Sequence, residues 1–216
     1  MRQMQTNKDS RIDGNQRRRV SAVRCAVLVL LLGLLAACAG APRRDAAIWR
    51  PVEGVDPAAV TTFRVAGRLA VSDGRDGGSA GFVWSQRGER FEVELRQPVS
   101  QKTWRLSGDA RGAMLEGGEG GPRRAGTAEE LLREVLGWHV PVAALRDWVR
   151  GLAHAGVPML DIERDADGRL RRFQQDGWQV EYTAWRDGGV WPERIRARQP
   201  PYSVRLNIQD WAIARD

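Results

Sequence analysis

From Phe63 onward the chain alternates apolar and polar residues with a period of two, over and over, and this repetition is what most restricts its fold. Phe63, Val65, Gly67, Leu69 and Val71 are set against Arg64, Ala66, Arg68, Ala70 and Ser72, which is the signature of a strand with one dry and one wet face. The pattern returns at Phe82 and Trp84, at Phe91, Val93 and Leu95, and at Trp104 and Leu106, with Gly-rich breaks at 73–78, 87–88 and 108–112. Connections this short join antiparallel neighbours, because parallel crossovers need a dozen residues or more. Further along, 159–163, 170–174, Trp178 to Ala184, Arg194 to Arg198 and Tyr202 to Ile208 repeat the alternation. Asp165-Ala-Asp167-Gly168 between two of these strands reads as a hairpin turn; the spaced side-chain ligands of a calcium loop are missing after it.

Two stretches break the period. Thr127-Ala-Glu-Glu130 forms a capping box ahead of Leu131, Leu132, Val135 and Leu136, and Gly137 stops that helix. Pro141 opens a second helix carrying Leu145, Trp148 and Val149 as far as Gly151. Two short helices cannot cover the dry face of about ten to eleven strands, so the sheet must curl on itself. The expected fold is mainly β: a curved antiparallel sheet able to enclose a lipid-sized apolar cavity. Eight of the nine tryptophans fall in this region, with Trp84, Trp104, Trp178 and Trp211 at inward strand positions. They suit ordinary core or an adaptable apolar pocket.

The N-terminus has a different character. Residues 1–37 hold seven of the 34 Lys and Arg but only two of the 27 Asp and Glu, which leaves the rest of the chain near +2. Phosphate binding needs a concentrated basic surface, so a nucleic-acid partner is not expected. The basic run Arg17-Arg18-Arg19 and Arg24 precedes the apolar run Ala26 to Leu35, the order of a secretory signal. That run is too short to cross a bilayer, which takes about 20 residues. It ends in Leu35-Ala36-Ala37-Cys38, which resembles the bacterial lipobox, so residues 1–37 are expected to be a lipoprotein signal peptide with Cys38 as the lipid anchor. Ala39 follows, where Asp would resemble an inner-membrane retention signal; the outer membrane, on its periplasmic side, is the expected address. Residues 38–56, with Pro42, Pro51 and Gly54, read as a lipidated tether to a domain spanning 57–216.

Several segments, in order, carry a resemblance to a known family: Phe63-Arg-Val-Ala-Gly-Arg-Leu-Ala70, Gly81-Phe-Val-Trp84, Leu95-Arg-Gln-Pro98, Leu145-Arg-Asp-Trp-Val-Arg-Gly151, Trp178-Gln-Val-Glu-Tyr182, Pro192-Glu-Arg-Ile195 and Leu206-Asn-Ile-Gln-Asp-Trp211. Behind a lipobox, this set resembles the LolB family of outer-membrane lipoprotein receptors. The resemblance implies a monomeric half-barrel, an incomplete antiparallel barrel of about ten to eleven strands under a small α-helical lid, whose apolar cavity accepts the acyl chains of lipoprotein cargo from the periplasmic carrier LolA and passes them to outer-membrane lipid. Trp84, Leu95, Trp104, Leu106, Trp148 and Trp178 are then the expected acyl-chain pocket. Val99, in Pro98-Val99-Ser100-Gln101, is the expected membrane-contact residue at a loop tip, although its sequence fits an ordinary hairpin turn as well.

Other classes find little support. Two cysteines and two histidines, His139 and His154, offer no zinc set, no Gly-x-Ser-x-Gly surrounds a serine, and no nucleotide-cradling loop is present. No catalytic residue, metal or cofactor is expected. The competing expectation is an envelope scaffold that binds a protein partner and takes no lipid cargo.

Overall fold

The structure, a computed structural model, describes residues 49–50, 52, 54–98, 102–186 and 189–214. The chain divides into Met1–Ala46 and Ala47–Asp216; all described residues belong to the second unit. Cys38, the leader and Val99 lie outside them.

The four alternating segments form β2 (Thr62–Ser72), β3 (Gly77–Arg87), β4 (Arg90–Arg96) and β5 (Thr103–Asp109), followed by two strands that were not expected, β6 (Gly112–Glu116) and β7 (Arg123–Ala125). After the helices come β8 (Leu160–Arg164), β9 (Leu170–Gln175), β10 (Trp178–Trp185), β11 (Pro192–Gln199) and β12 (Tyr202–Ala214). All are antiparallel in the order β7-β6-β5-β4-β3-β2-β12-β11-β10-β9-β8, and β1 (Trp49–Arg50) pairs with the far end of β12. The sheet is joined through β2 and β12, its first and last long strands, and among the described residues β7 and β8 are its two outer edges. The barrel is therefore incomplete, as expected.

Three boundaries differ from expectation. The chain joins the sheet at Trp49–Arg50, and Val52, buried, accepts a hydrogen bond from Trp191 Nε1 at 3.0 Å, so ordered structure begins ahead of residue 57. Two residues are too few to show a period. β7 is likewise missed, because Arg123-Arg124-Ala125 carries no apolar alternation. β12 runs on past Ile208 to Ala214 because a bulge between Ile208 and Asp210 resets its alternation, placing Trp211 and Ile213 back on the dry side. Gly67 faces this bulge: a β-carbon there would collide with the Asn207 carbonyl, so only glycine lets β2 and β12 approach.

Helix α1 (Ala128–Leu136) is capped as its sequence dictates. Thr127 Oγ1 accepts from the Glu130 N–H and Glu130 Oε2 from the Thr127 N–H, both at 3.1 Å, while Gly137 ends the helix at φ 70°. Helix α2 (Val142–Trp148) has Pro141 as its N-cap, one position earlier than expected, and no side-chain cap of its own. Glu129 of α1 supplies one instead, accepting from the Ala143 N–H at 2.7 Å. The two helices are thus joined end to side. The Asp165 carboxylate accepts from the backbone N–H groups of Asp167 and Arg169, and Gly168 has φ 79°, which makes this segment a hairpin turn.

Candidate functional site

The dry face supplies a single cluster of buried side chains reaching from Leu115 on β6 to Phe173 on β9 and including Leu131 and Leu132 of α1 and Leu145 and Trp148 of α2. Its two halves differ. Beneath α2, Trp148 (0 % exposed) and Trp178 (1 %) meet with ring centroids 6.5 Å apart. Trp148 Nε1 donates to Gln175 Oε1 at 2.8 Å, and Gln175 Nε2 donates in turn to the carbonyls of His154 and Val157. Tyr182 donates its hydroxyl to the Trp148 carbonyl at 2.9 Å. Burial first, and the nearby Asp147 charge second, push that hydroxyl far above its ordinary pKa, so it remains a donor.

An ionic knot fixes the end of the same helix. Asp147, buried, ion-pairs with Arg150 and meets His154 Nδ1 at 2.8 Å. Arg150 also donates to the Val60 carbonyl at 2.7 Å, tying α2 to the segment that leads into β2. Gln86 is a third buried polar group, accepting from Trp84 Nε1 at 2.9 Å and donating to the Gly88 carbonyl. Buried donors and acceptors that are all satisfied make rigid core. The inward parity that marks Trp84 extends to Gln86, so a lone polar residue in an apolar stripe was the available signal for it. Asp147 and Arg150 gave none, since short-range charge pairs in a helix are usually solvated.

Away from the Trp148–Gln175–Trp178 set, towards β2–β5 and the start of β12, the dry face is looser. We call "upper" the end of the sheet where β2 turns into β3, β4 into β5 and β11 into β12. On its dry face Leu69, Leu95, Trp104 and Tyr202 are only partly buried, and Leu95 lies directly opposite Trp104. The loop between the helices covers this region. The Trp138 ring sits 3.5 Å from where a Gly78 side chain would begin, while His139 stacks on Trp178 at 5.9 Å and leans on Tyr202 at 5.4 Å. Gly78 has no side chain to fill the space, and Trp138 occupies it. The Trp104 ring presses on Gly118, whose β-carbon would meet it at 2.7 Å.

The six pocket residues expected from sequence therefore fall into two groups. Trp84, Leu95, Trp104 and Leu106 lie on two neighbouring cross-strand rows of β3–β5, whereas Trp148 ends α2 and meets Trp178 at the start of β10. Trp84 (5 %) and Leu106 (4 %) are buried; Leu95 and Trp104 border the looser region. Leu69, Trp138 and Tyr202 belong with them and were not singled out, because α1 and its following loop had to be placed before their common neighbourhood could be seen.

The family model for the outer membrane lipoprotein LolB matches residues 61–211. The chain belongs to the LolB family. It is 42 % identical over 154 residues to the outer-membrane lipoprotein LolB of Xanthomonas axonopodis pv. citri, covering 68 % of this chain and 71 % of that one. The LolB of Xylella fastidiosa is 40 % identical over 150 residues, covering 67 % and 68 %. Among solved structures, a LolA-superfamily protein from Nitrosomonas europaea aligns over 73 % of this chain and 88 % of its own with a TM-score of 0.45 and 11 % identity.

Proposed function

We propose that this LolB-family chain is an outer-membrane-anchored receptor that takes lipoprotein acyl chains from the periplasmic carrier LolA into the upper half of its dry face and passes them to outer-membrane lipid. The observation that carries this reading is the half-buried set Leu69, Leu95, Trp104 and Tyr202 under a loop whose plug, Trp138, rests over a glycine. A well-packed core has no reason to leave such a set partly wet. Movement of the 137–141 loop frees the space over Gly78 for a chain, while the hydrogen-bonded half under α2 keeps the sheet in shape.

The energetics require a dry relay and no covalent chemistry. Each methylene leaving water contributes about 0.8 kcal/mol, so a single long acyl chain carries on the order of 10 kcal/mol. Cargo moves downhill provided this face binds more tightly than the carrier and the bilayer more tightly still. A fluorescent fatty-acid probe separates the receptor from a protein-binding scaffold: saturable uptake supports the former, and failure to take up the probe supports the latter.

Cys38 performs the anchoring. Cys38→Ala behind a cleavable leader gives a folded periplasmic protein, checked by fractionation; wild-type chain in the soluble fraction contradicts this. Val99 acts at release. One apolar side chain entering lipid contributes only about 1.5 to 3 kcal/mol, too little to hold the protein and enough to orient it. Val99→Glu is expected to leave probe uptake unchanged and slow delivery into vesicles several-fold; equal delivery at matched uptake removes Val99 from the pathway.

A further inference from the structure

The wet face of the sheet divides into three sectors by charge. Over β4 and β5, Arg105 is neutralised by Glu94 at 2.8 Å and Glu92 at 3.8 Å. Over β8–β10, Arg172 lies between Glu163 at 3.2 Å and Glu181 at 3.4 Å. Between them, β2, β12 and β11 present Arg68, Arg205, Arg194, Arg196 and Arg198, all exposed. Arg194 has Glu193 at 3.9 Å, and among the described residues the other four make no ion pair.

The register concentrates this charge. Arg196 stands directly opposite Arg205, a like-charge pairing that works against the sheet, and Glu181, the cross-strand neighbour of Arg196 on its other side, is engaged by Arg172. Small residues fill the gaps: Ala70 faces Arg205, Ser203 faces Arg198, and Gly81 separates Arg68 from Arg96. The guanidinium groups consequently stand clear around a shallow groove of about 290 Å³ bordered by Arg68, Ala70, Arg194, Arg196, Arg205 and Asn207. The stripe occupies the upper half of the wet face, the end from which the β4–β5 connection leaves and at which the Trp138 loop covers the dry face.

We propose that this arginine stripe is a membrane-docking surface for the anionic phospholipid headgroups of the bilayer that holds the protein. Positive charge spread across three adjacent strands, about 4.8 Å apart, matches an extended negative plane better than a single small anion. The outer-membrane anchor keeps that plane within reach, so a weak surface is enough. Docking by this face brings the upper end, and the mouth under the 137–141 loop, to the lipid. The proposal rests on the outer-membrane assignment and is independent of cargo uptake.

The test uses the processed chain, residues 38–216, carrying Cys38→Ala so that the lipid does not dominate, in co-sedimentation with vesicles of pure phosphatidylethanolamine and of phosphatidylethanolamine with about one quarter phosphatidylglycerol. Binding is expected to favour the anionic vesicles and to weaken with salt. Each arginine at such a surface is worth roughly fivefold in affinity, so Arg196→Gln with Arg205→Gln reduces binding by about tenfold or more. Because the double substitution removes a like-charge pair, its thermal midpoint is expected at or above that of the parent chain, which separates lost docking from misfolding. Fatty-acid probe uptake, measured in parallel, stays at the parent level and keeps failure of the receptor reading distinguishable. Equal binding to both vesicle types, or parent-like binding by the double variant, overturns the proposal. A variant that binds vesicles normally but receives cargo poorly from the carrier overturns it in favour of an acidic protein surface.

Discussion

Trp148→Ala lowers the unfolding free energy by about 3 to 5 kcal/mol, the cost of removing a large, wholly buried ring. The ring is 0 % exposed and packs on Phe173 and Trp178, and its N–H satisfies Gln175, so truncation leaves both a void and a weakened hydrogen-bond set. Trp148→Phe retains most of the ring and is expected to lose less than half as much. Trp104→Ala, at a partly buried site on the looser half, is expected to cost clearly less stability than Trp148→Ala while lowering probe uptake more than any stability change explains. Chemical denaturation of the three variants checks the order. Equal losses for Trp104→Ala and Trp148→Ala contradict the division of the dry face into a rigid and a yielding half.

Asp147→Ala is the second large effect, about 3 to 5 kcal/mol, because it strands a partly buried arginine with no carboxylate. Arg150 retains the Val60 carbonyl and the backbone of its own helix, but its charge and the His154 ring lose their common partner. Asp147→Asn keeps the shape and accepts one hydrogen bond, so its loss is expected to be intermediate. The same set of melts decides this. A neutral Asp147→Ala means that α2 is held by its apolar side alone and that the knot only follows.

Period-two alternation identified most of the sheet because each strand has one wet face, and the capping box and Gly137 located α1 because those signals act within a few residues. The curling of the sheet followed from too few helices for too much dry face, and its incomplete closure from the resemblance to the LolB family. β1, β6 and β7 were missed because two to five residues carry too little period, and the last strand was ended at Ile208, although Trp211 was placed inward, because a bulge shifts parity there. The candidate site was legible in part. Trp84, Leu95, Trp104 and Leu106 share a neighbourhood because short hairpins fix their register. Trp148 and Trp178 separate from them because the placement of α2 depends on Gln175, Tyr182 and Arg150, partners 27, 34 and three positions away from Trp148 or Asp147 in sequence. The packing of Trp138 over Gly78 was not foreseen because it joins segments 60 residues apart.

On the proposed function, an acyl chain enters the upper dry face beneath the Trp138 loop. A fatty acid brominated along its chain quenches only those tryptophans it touches, which makes it the most direct measurement. Emission is expected to fall on saturable binding, and most of the quenching is expected to vanish in the chain carrying Trp104→Phe and Trp138→Phe while persisting in Trp191→Phe, whose ring lies in the core beside Trp211. Unchanged emission on binding, or full quenching in the Trp104→Phe, Trp138→Phe chain, would place the cargo elsewhere.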